Sequence, residues 1–452
     1  MSADVSSEPG VAGPARPPEP RWDPEDRVFW ETTAAPVARR TLAITTAGLT
    51  LSFATWFMWS AIVVRLPDLG FPQSVSQRFL LTAVPGLVGA TLRIPYSFIV
   101  QMFGTRAVVT VATASLLVPS VGVGLAVQDP STPFWVLVLL AAAAGFGGGN
   151  FSAFMSSTSL FYPKARQGTA LGIQAGIGNL GVSLVQLATP LVIGAAVFGS
   201  AGGGSLRHAT SGKELWLQNA AFLWAAPVAV VTLLAAVLLR SIPVTASFRQ
   251  QSVIFKRKHT WVMTLLYFMT FGTFSGLAAS FALLIREVFG QLPGAPDPLR
   301  YAFLGALVGS IARPVGGWIS DRAGGGRVTL VSGAAMLVAT VAATQLMRPA
   351  SMADFPLFLI VMLAIFLFSG IGNGSTFRMI PVIFPRTEAA PVLGWTAAIA
   401  AYGSFILPMI FGWSVSTHGS PAVAFGILAG FYVINLVLCH HFYSRKGAEV
   451  PC

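Results

Sequence analysis

The chain has 452 residues, of which 54% are hydrophobic and only 10% charged. Soluble domains carry roughly 25% charged residues, so a water-soluble enzyme or nucleic-acid module is excluded as the bulk of this chain. The net charge of +12 therefore needs another cause, and its distribution supplies one.

In chain order, residues 1–40 are polar and Pro-rich and predict a cytoplasmic tail, disordered to about Pro20. No short apolar run with a small-residue cleavage site stands there, so a cleaved signal peptide is not expected. Trp22 to Asp26 and Phe29-Trp30-Glu31 are expected to lie against the inner headgroups. Apolar runs of spanning length then recur near 42–64, 80–102, 107–127, 134–161, 168–198, 216–239, 261–285, 300–320, 328–347, 355–384, 391–415 and 422–443. These predict an all-α polytopic membrane protein with twelve transmembrane helices. The longest polar stretch, 241–259, divides a first six-helix bundle (41–240) from a second (260–445), and 446–452 form a short tail. With both termini cytoplasmic, 18 of the 28 Lys and Arg residues fall inside and 7 outside, with Arg93, Arg313 and Arg378 in spans. That asymmetry is the positive-inside rule, and it accounts for the basic balance without nucleic acid. Cys439 and Cys452 have no metal-ligand or redox spacing and receive no role.

Two of the in-span arginines stand out. Arg93 and Arg313 each lie about thirteen residues into an apolar run, near the middle of a ~30 Å hydrocarbon layer. A charge there costs at least ~2.5–3.5 kcal/mol by insertion scales. Both sit in a Gly-x-x-x-Arg frame, Gly89 to Arg93 and Gly309 to Arg313, offset by 220 residues. Phe161-Tyr162-Pro163 with Leu171-Gly172 likewise repeats as Ile383-Phe384-Pro385 with Leu393-Gly394, offset by 222. One cation at mid-depth per half describes an anion site on a pseudo-twofold axis. In span five, Gly168, Gly172 and Gly176 are four apart and line one helical face, which suits close packing or sliding. Asn179 nearby is a polar amide in a span and wants a partner.

Gly317-Trp-Ile-Ser-Asp321-Arg322-Ala-Gly324 resembles the major facilitator loop signature Gly-x-x-x-Asp-Arg-x-Gly, although the first-half equivalent keeps only Gly104, with Gln101 and Met102 at the Asp-Arg positions. Gly168-Thr-Ala-Leu-Gly172-Ile-Gln174-Ala-Gly176-Ile-Gly178-Asn179-Leu-Gly181 resembles the nitrate signature of the nitrate/nitrite porter family, the NarK-type bacterial transporters. Gly145 to Ser152 in span four, Gly370 to Phe377 in span ten and Thr91 to Ser97 in span two extend that resemblance, as does Trp22 to Trp30. It covers about residues 22 to 445.

The resemblance implies a major facilitator fold of two pseudo-symmetric six-helix bundles. It places Arg93, Arg313, Phe151, Tyr267, Phe271, Asn179 and Gly176 at the substrate, the aromatics as walls. It gives Gly168, Gly172, Gly178, Gly181, Gly394, Gly403, Asp321 and Arg322 to the conformational change. Span eleven departs from the pattern, with Ala398, Ala400, Ala401 and Ser404 where glycine or Asn is favoured. Arg378 stands where a neutral amide is expected; the candidate roles are snorkelling to the inner surface or lining the inner vestibule.

Nitrate suits two arginines chemically. It is planar, monovalent and delocalised, and a guanidinium presents paired N–H donors to two oxygens at once. Flat aromatic walls favour it over tetrahedral sulfate or phosphate, and nitrite shares its charge and two-oxygen edge. Two fixed cations would also neutralise a dianion, which is the competing substrate class. A secondary transporter of the bacterial cytoplasmic membrane is expected, exchanging nitrate and nitrite, monomeric, with no cofactor or metal. The alternatives are a nitrate/proton symporter and a nitrate sensor without transport. An intramembrane enzyme lacks support, because none of the five histidines lies mid-span.

Overall fold

Residues 22–242 and 252–452 are described by the computed structural model. The expected disordered tail to Pro20 and the middle of the polar linker, including Arg249, lie outside the described residues. Twelve helices are long and apolar enough to cross a membrane: Arg27–Ile62, Val75–Phe103, Thr105–Ala126, Phe134–Phe161, Lys164–Val192, Asn219–Leu238, Lys258–Phe289, Pro298–Ala323, Gly325–Gln345, Met352–Ile383, Pro391–His418 and Ala422–Ser444. They are numbered spans one to twelve. An even number of crossings puts both described chain ends on one face, the terminal face. Helices are the expected solution because apolar surroundings leave every backbone N–H and C=O to be paired within the segment.

The first helix starts at Arg27, capped by Asp26 accepting from the Val28 and Phe29 amides, and passes through a π-helical turn at Trp30–Ala34. Trp22 and Trp30 also pack on protein. Trp22 meets Phe161 edge-on at 5.2 Å, Trp30 tilts against Tyr162 at 5.6 Å, and Arg166 lies over the Trp30 ring. The Lys164 amide, first in span five, donates to the Glu25 carboxylate at 2.9 Å, a charge placement the helix N-terminus favours. At the other chain end, residues 445–452 fold back: Gly326 donates its amide to the Cys452 carbonyl at 2.8 Å, and Lys258 pairs with Glu449.

Several spans are broken near mid-depth. Span three breaks at Ser115-Leu116, span four at Gly145 and span eleven at Tyr402, while span seven carries a π-helical turn at Phe268–Gly272. The bundles meet along two seams, span two against span eleven and span five against span eight. On the face opposite the chain ends, three ion pairs cross between bundles: Arg286 with Asp68, Arg65 with Asp297, and Arg78 with Glu287. A hairpin between spans five and six, Leu206–Arg207 paired with Glu214–Leu215, leans on this cluster through the Ala209 amide and the Asp68 carbonyl.

The candidate anion site

The Gly-x-x-x-Arg frames build the site by close packing. A Cβ at Gly89 would stand 2.9 Å from the Gly148 Cα and 2.9 Å from Trp56 Nε1; a Cβ at Gly309 would stand 2.7 Å from the Phe274 ring and 3.0 Å from the Phe366 carbonyl. Gly370 in turn presses on the Gly309 backbone as Gly148 does on Gly89. Glycine is therefore required in both frames. Each lets a partner helix and an aromatic, Trp56 or Phe274, come close one turn before the arginine.

Arg93 is fully buried. Its Nε donates to the Gly148 carbonyl at 2.9 Å, and its Nη1 crosses to the other bundle to donate to the Ala397 carbonyl at 2.8 Å. Its guanidinium lies over three rings, Phe151 at 4.5 Å, Trp56 at 5.3 Å and Phe271 at 5.5 Å. Such cation–π contacts offset part of the cost of a buried cation. Arg313, also buried, donates from Nη2 to the Tyr267 hydroxyl at 3.3 Å and lies over Phe377 at 5.2 Å. Tyr267 and Phe271 stack at 5.7 Å across the π-helical turn, so one aromatic pair joins the two arginines.

Both guanidiniums keep donors without a protein partner: Arg93 Nη2 and Arg313 Nη1 are buried and unbonded. Among the described residues neither arginine has a carboxylate within ion-pair distance. Two like charges with spare N–H groups in an apolar interior are costly, and a counter-anion between them would relieve that cost. The arrangement can hold a small anion.

Five of the expected substrate residues thus converge: Arg93, Arg313, Phe151, Tyr267 and Phe271. Asn179 is buried beside Gly178 and makes no hydrogen bond to either arginine. Gly176 faces open space, as do Gly168 and Gly172, for a Cβ at any of them would meet nothing within 4 Å. Gly178 and Gly181 belong to another surface, packed on span one with a Cβ 2.7 Å from Leu49 and 2.1 Å from the Thr50 carbonyl. In span eleven, Gly403 packs on Gly272, whereas Gly394 approaches Ser97. Asp321 and Arg322 sit in the last turn of span eight. Asp321 pairs with Arg378, and Arg322 covers Trp318 at 3.8 Å. Arg378 therefore has a partner at the exposed terminal end of its bundle.

Trp56 was not anticipated, and Phe377, which closes the span-ten motif, was not named at the substrate. Single aromatics in apolar helices carry no sequence signal of their own, although the Trp56 position relative to the first frame mirrors that of Phe274 to the second.

The model of the Major Facilitator Superfamily matches residues 44–349. The "Probable nitrate/nitrite antiporter NarK2" of Thermus thermophilus is 53% identical over 95% of this chain and 97% of its own. The "Nitrate/nitrite transporter NarU" of Escherichia coli (strain K12) is 40% identical over 94% of this chain and 96% of its own. Among solved structures, a bacterial homologue of the human lysosomal transporter Spinster, in an inward-facing and occupied conformation, superposes with a TM-score of 0.67 at 19% identity, covering 89% of this chain and 96% of that one. By these relatives, its twelve helices and its repeated frames, the chain belongs to the nitrate/nitrite porter family of the Major Facilitator Superfamily.

Proposed function

We propose that this protein carries nitrate and nitrite across a membrane by alternating access, exchanging one anion for the other, with its terminal face in the cytoplasm of a bacterium. One observation carries the reading: Arg93 and Arg313, one from each bundle, are buried with unbonded N–H donors and, among the described residues, no carboxylate within ion-pair distance. The names of its relatives, a nitrate/nitrite antiporter and a nitrate/nitrite transporter, support the substrate. The rings beside Arg93 and Arg313 favour a flat anion, which the planar guanidiniums meet edge-on. The orientation rests on the excess of Lys and Arg in the loops of the terminal face.

In this structure the opposite face is bolted by three inter-bundle ion pairs, while the span-five glycines toward the terminal face stand free. Transport then requires the bundles to rock about the arginines. The test is counterflow in proteoliposomes loaded with nitrite, chloride or sulfate. Nitrate uptake driven by internal nitrite and not by sulfate supports the reading. Nitrate binding in detergent without flux would identify a sensor instead, and uptake driven by sulfate would identify a dianion carrier.

A further inference from the structure

The two inter-bundle seams are held differently. Along span five and span eight, Ser183 Oγ donates to the Phe303 carbonyl at 3.0 Å in the half away from the chain ends. Toward the terminal face the seam is open: Gly168, Gly172 and Gly176 meet nothing, and Ile311, Val315 and Trp318 are exposed. Span two and span eleven stay together past the arginine. The hydroxyls of Thr91 and Tyr402 lie 2.8 Å apart, Arg93 donates to the Ala397 carbonyl at 2.8 Å, and a Cβ on Gly394 would lie 3.8 Å from Ser97 Oγ.

Tyr402 marks the break in span eleven. Its amide donates to the Ile399 carbonyl, three residues back, and its own carbonyl accepts from Phe405 and Ile406. A broken helix is a place where a span can bend, and here Thr91 of the other bundle holds it. Thr91 is exposed and Arg93 is fully buried, so span two holds span eleven at the break and again at Ala397, toward the terminal face. This is what span eleven has in place of a full glycine face.

We propose that Tyr402 is a positioning residue for the anion site. Its bond to Thr91 pins span eleven to span two, so that the Ala397 carbonyl keeps Arg93 presented, and the anion reaches the terminal face along the span five–span eight seam alone. The inference rests on the transport reading, so wild-type nitrate/nitrite exchange in liposomes is established first; its absence would strike that reading and not this one.

The test is a kinetic cycle. Tyr402→Phe and Thr91→Val each remove one partner of the same bond, and Thr91→Ser keeps it. The two loss variants should each raise the nitrate KM about tenfold with kcat within about twofold, the scale of one hydrogen bond that steers a charged group. The double variant should be no worse than either single one, because the two changes share one interaction, and Thr91→Ser should behave as wild type. An unchanged KM, or effects that multiply in the double variant, would overturn the proposal. A second arm cross-links the seam itself with Ser97→Cys and Gly394→Cys. With Cys439 and Cys452 replaced by Ser and the cross-link confirmed by loss of free thiols, oxidation should leave at least about half of the uptake, since this seam need not part on the terminal side. Uptake abolished by oxidation and restored by reductant would show that the anion needs this seam to open.

Discussion

Arg286 in span seven holds Asp68 between spans one and two with both arms of its guanidinium, Nη1 to Oδ2 at 2.7 Å and Nη2 to Oδ1 at 2.8 Å. The Nη1 arm also donates to the Val64 carbonyl at 2.7 Å. The pair ties one bundle to the other on the face away from the chain ends, and Arg65–Asp297 and Arg78–Glu287 flank it. Bidentate pairs of this kind are the strong and directional ones.

The latch should set the conformational balance. Arg286→Ala is expected to shift the population toward an open opposite face while leaving the fold intact, because both bundles retain their own cores. Distances between spin labels at Ser200→Cys and Ala353→Cys, in a background with Cys439 and Cys452 replaced by Ser, should lengthen and broaden. An unchanged distance distribution would show that the latch does not hold the closed face.

The same pair fixes a pH window. Burial raises the Asp68 carboxyl, but the hydrogen bonds and charge of Arg286, with His208 and Arg65, outweigh it and hold the group below its ordinary value of 3.8. A depressed carboxyl contributes above its unpaired value and is lost as pH falls through the depressed one. Closure by Asp68 should therefore be flat from neutral pH to about 5 and weaken only below the ordinary value. The label distances across that range check the sign: opening near pH 6 would implicate another group.

Replacing either site arginine by Lys keeps the charge and removes the fork. Arg93 uses three geometric features at once, the bonds to Gly148 and Ala397 and the unbonded Nη2. Arg93→Lys should lower nitrate affinity at least about tenfold, roughly 1.4 kcal/mol or more, and Arg313→Lys should do the same by losing the contact to Tyr267. Calorimetric titration of detergent-solubilised protein measures this directly. Near-normal nitrate affinity in both Lys variants would refute a guanidinium clamp.

The span-five glycines separate packing from motion. At Gly176 a side chain has room in this conformation, so Gly176→Leu should fold with a Tm close to wild type yet cut flux about twentyfold or more, because the wider face cannot close on span eight. At Gly181 a Cβ would fall 2.1 Å from the Thr50 carbonyl, so Gly181→Ala should lower the Tm through overpacking. Wild-type flux in Gly176→Leu would reduce the face to ordinary packing.

The spans and the two arginines were legible because a charge in an apolar run is a loud signal and the run length is set by the bilayer. The four-residue spacing of Gly168, Gly172 and Gly176 was legible for the same geometric reason, and it separates them from Gly178 and Gly181, which fall on another flank. The latch was not. Arg286 and Asp68 lie 218 residues apart in segments that look like ordinary polar helix ends, and only the packing of two bundles brings them together. The partner of Arg378 was hidden for the same reason: the sequence offered snorkelling or a place in the inner vestibule, and Asp321 reaches it from another helix. The helix break at Tyr402 also left no trace, because neither Pro nor Gly sits at the break itself; Gly403 follows it.

Exchange without proton coupling is the last expectation, and it follows from where acids are absent. All sixteen acidic residues lie in tails, loops or helix ends by sequence, and among the described ones none pairs with Arg93 or Arg313. Proton-coupled carriers usually keep Asp, Glu or His in the pathway, whereas guanidiniums do not titrate. An empty site leaves two like charges facing each other in a medium of low dielectric, where repulsion is strong. Closing the bundles over that empty site is unfavourable, and a bound monovalent anion relieves it. The loaded carrier should therefore change sides readily and the empty one slowly, which couples inward nitrate to outward nitrite. In sealed liposomes, nitrate uptake should rise at least about tenfold when nitrite is trapped inside, a bias of roughly 1.4 kcal/mol, and should not follow an imposed pH gradient. Robust uptake into nitrite-free vesicles that tracks an inward proton gradient would replace exchange by symport.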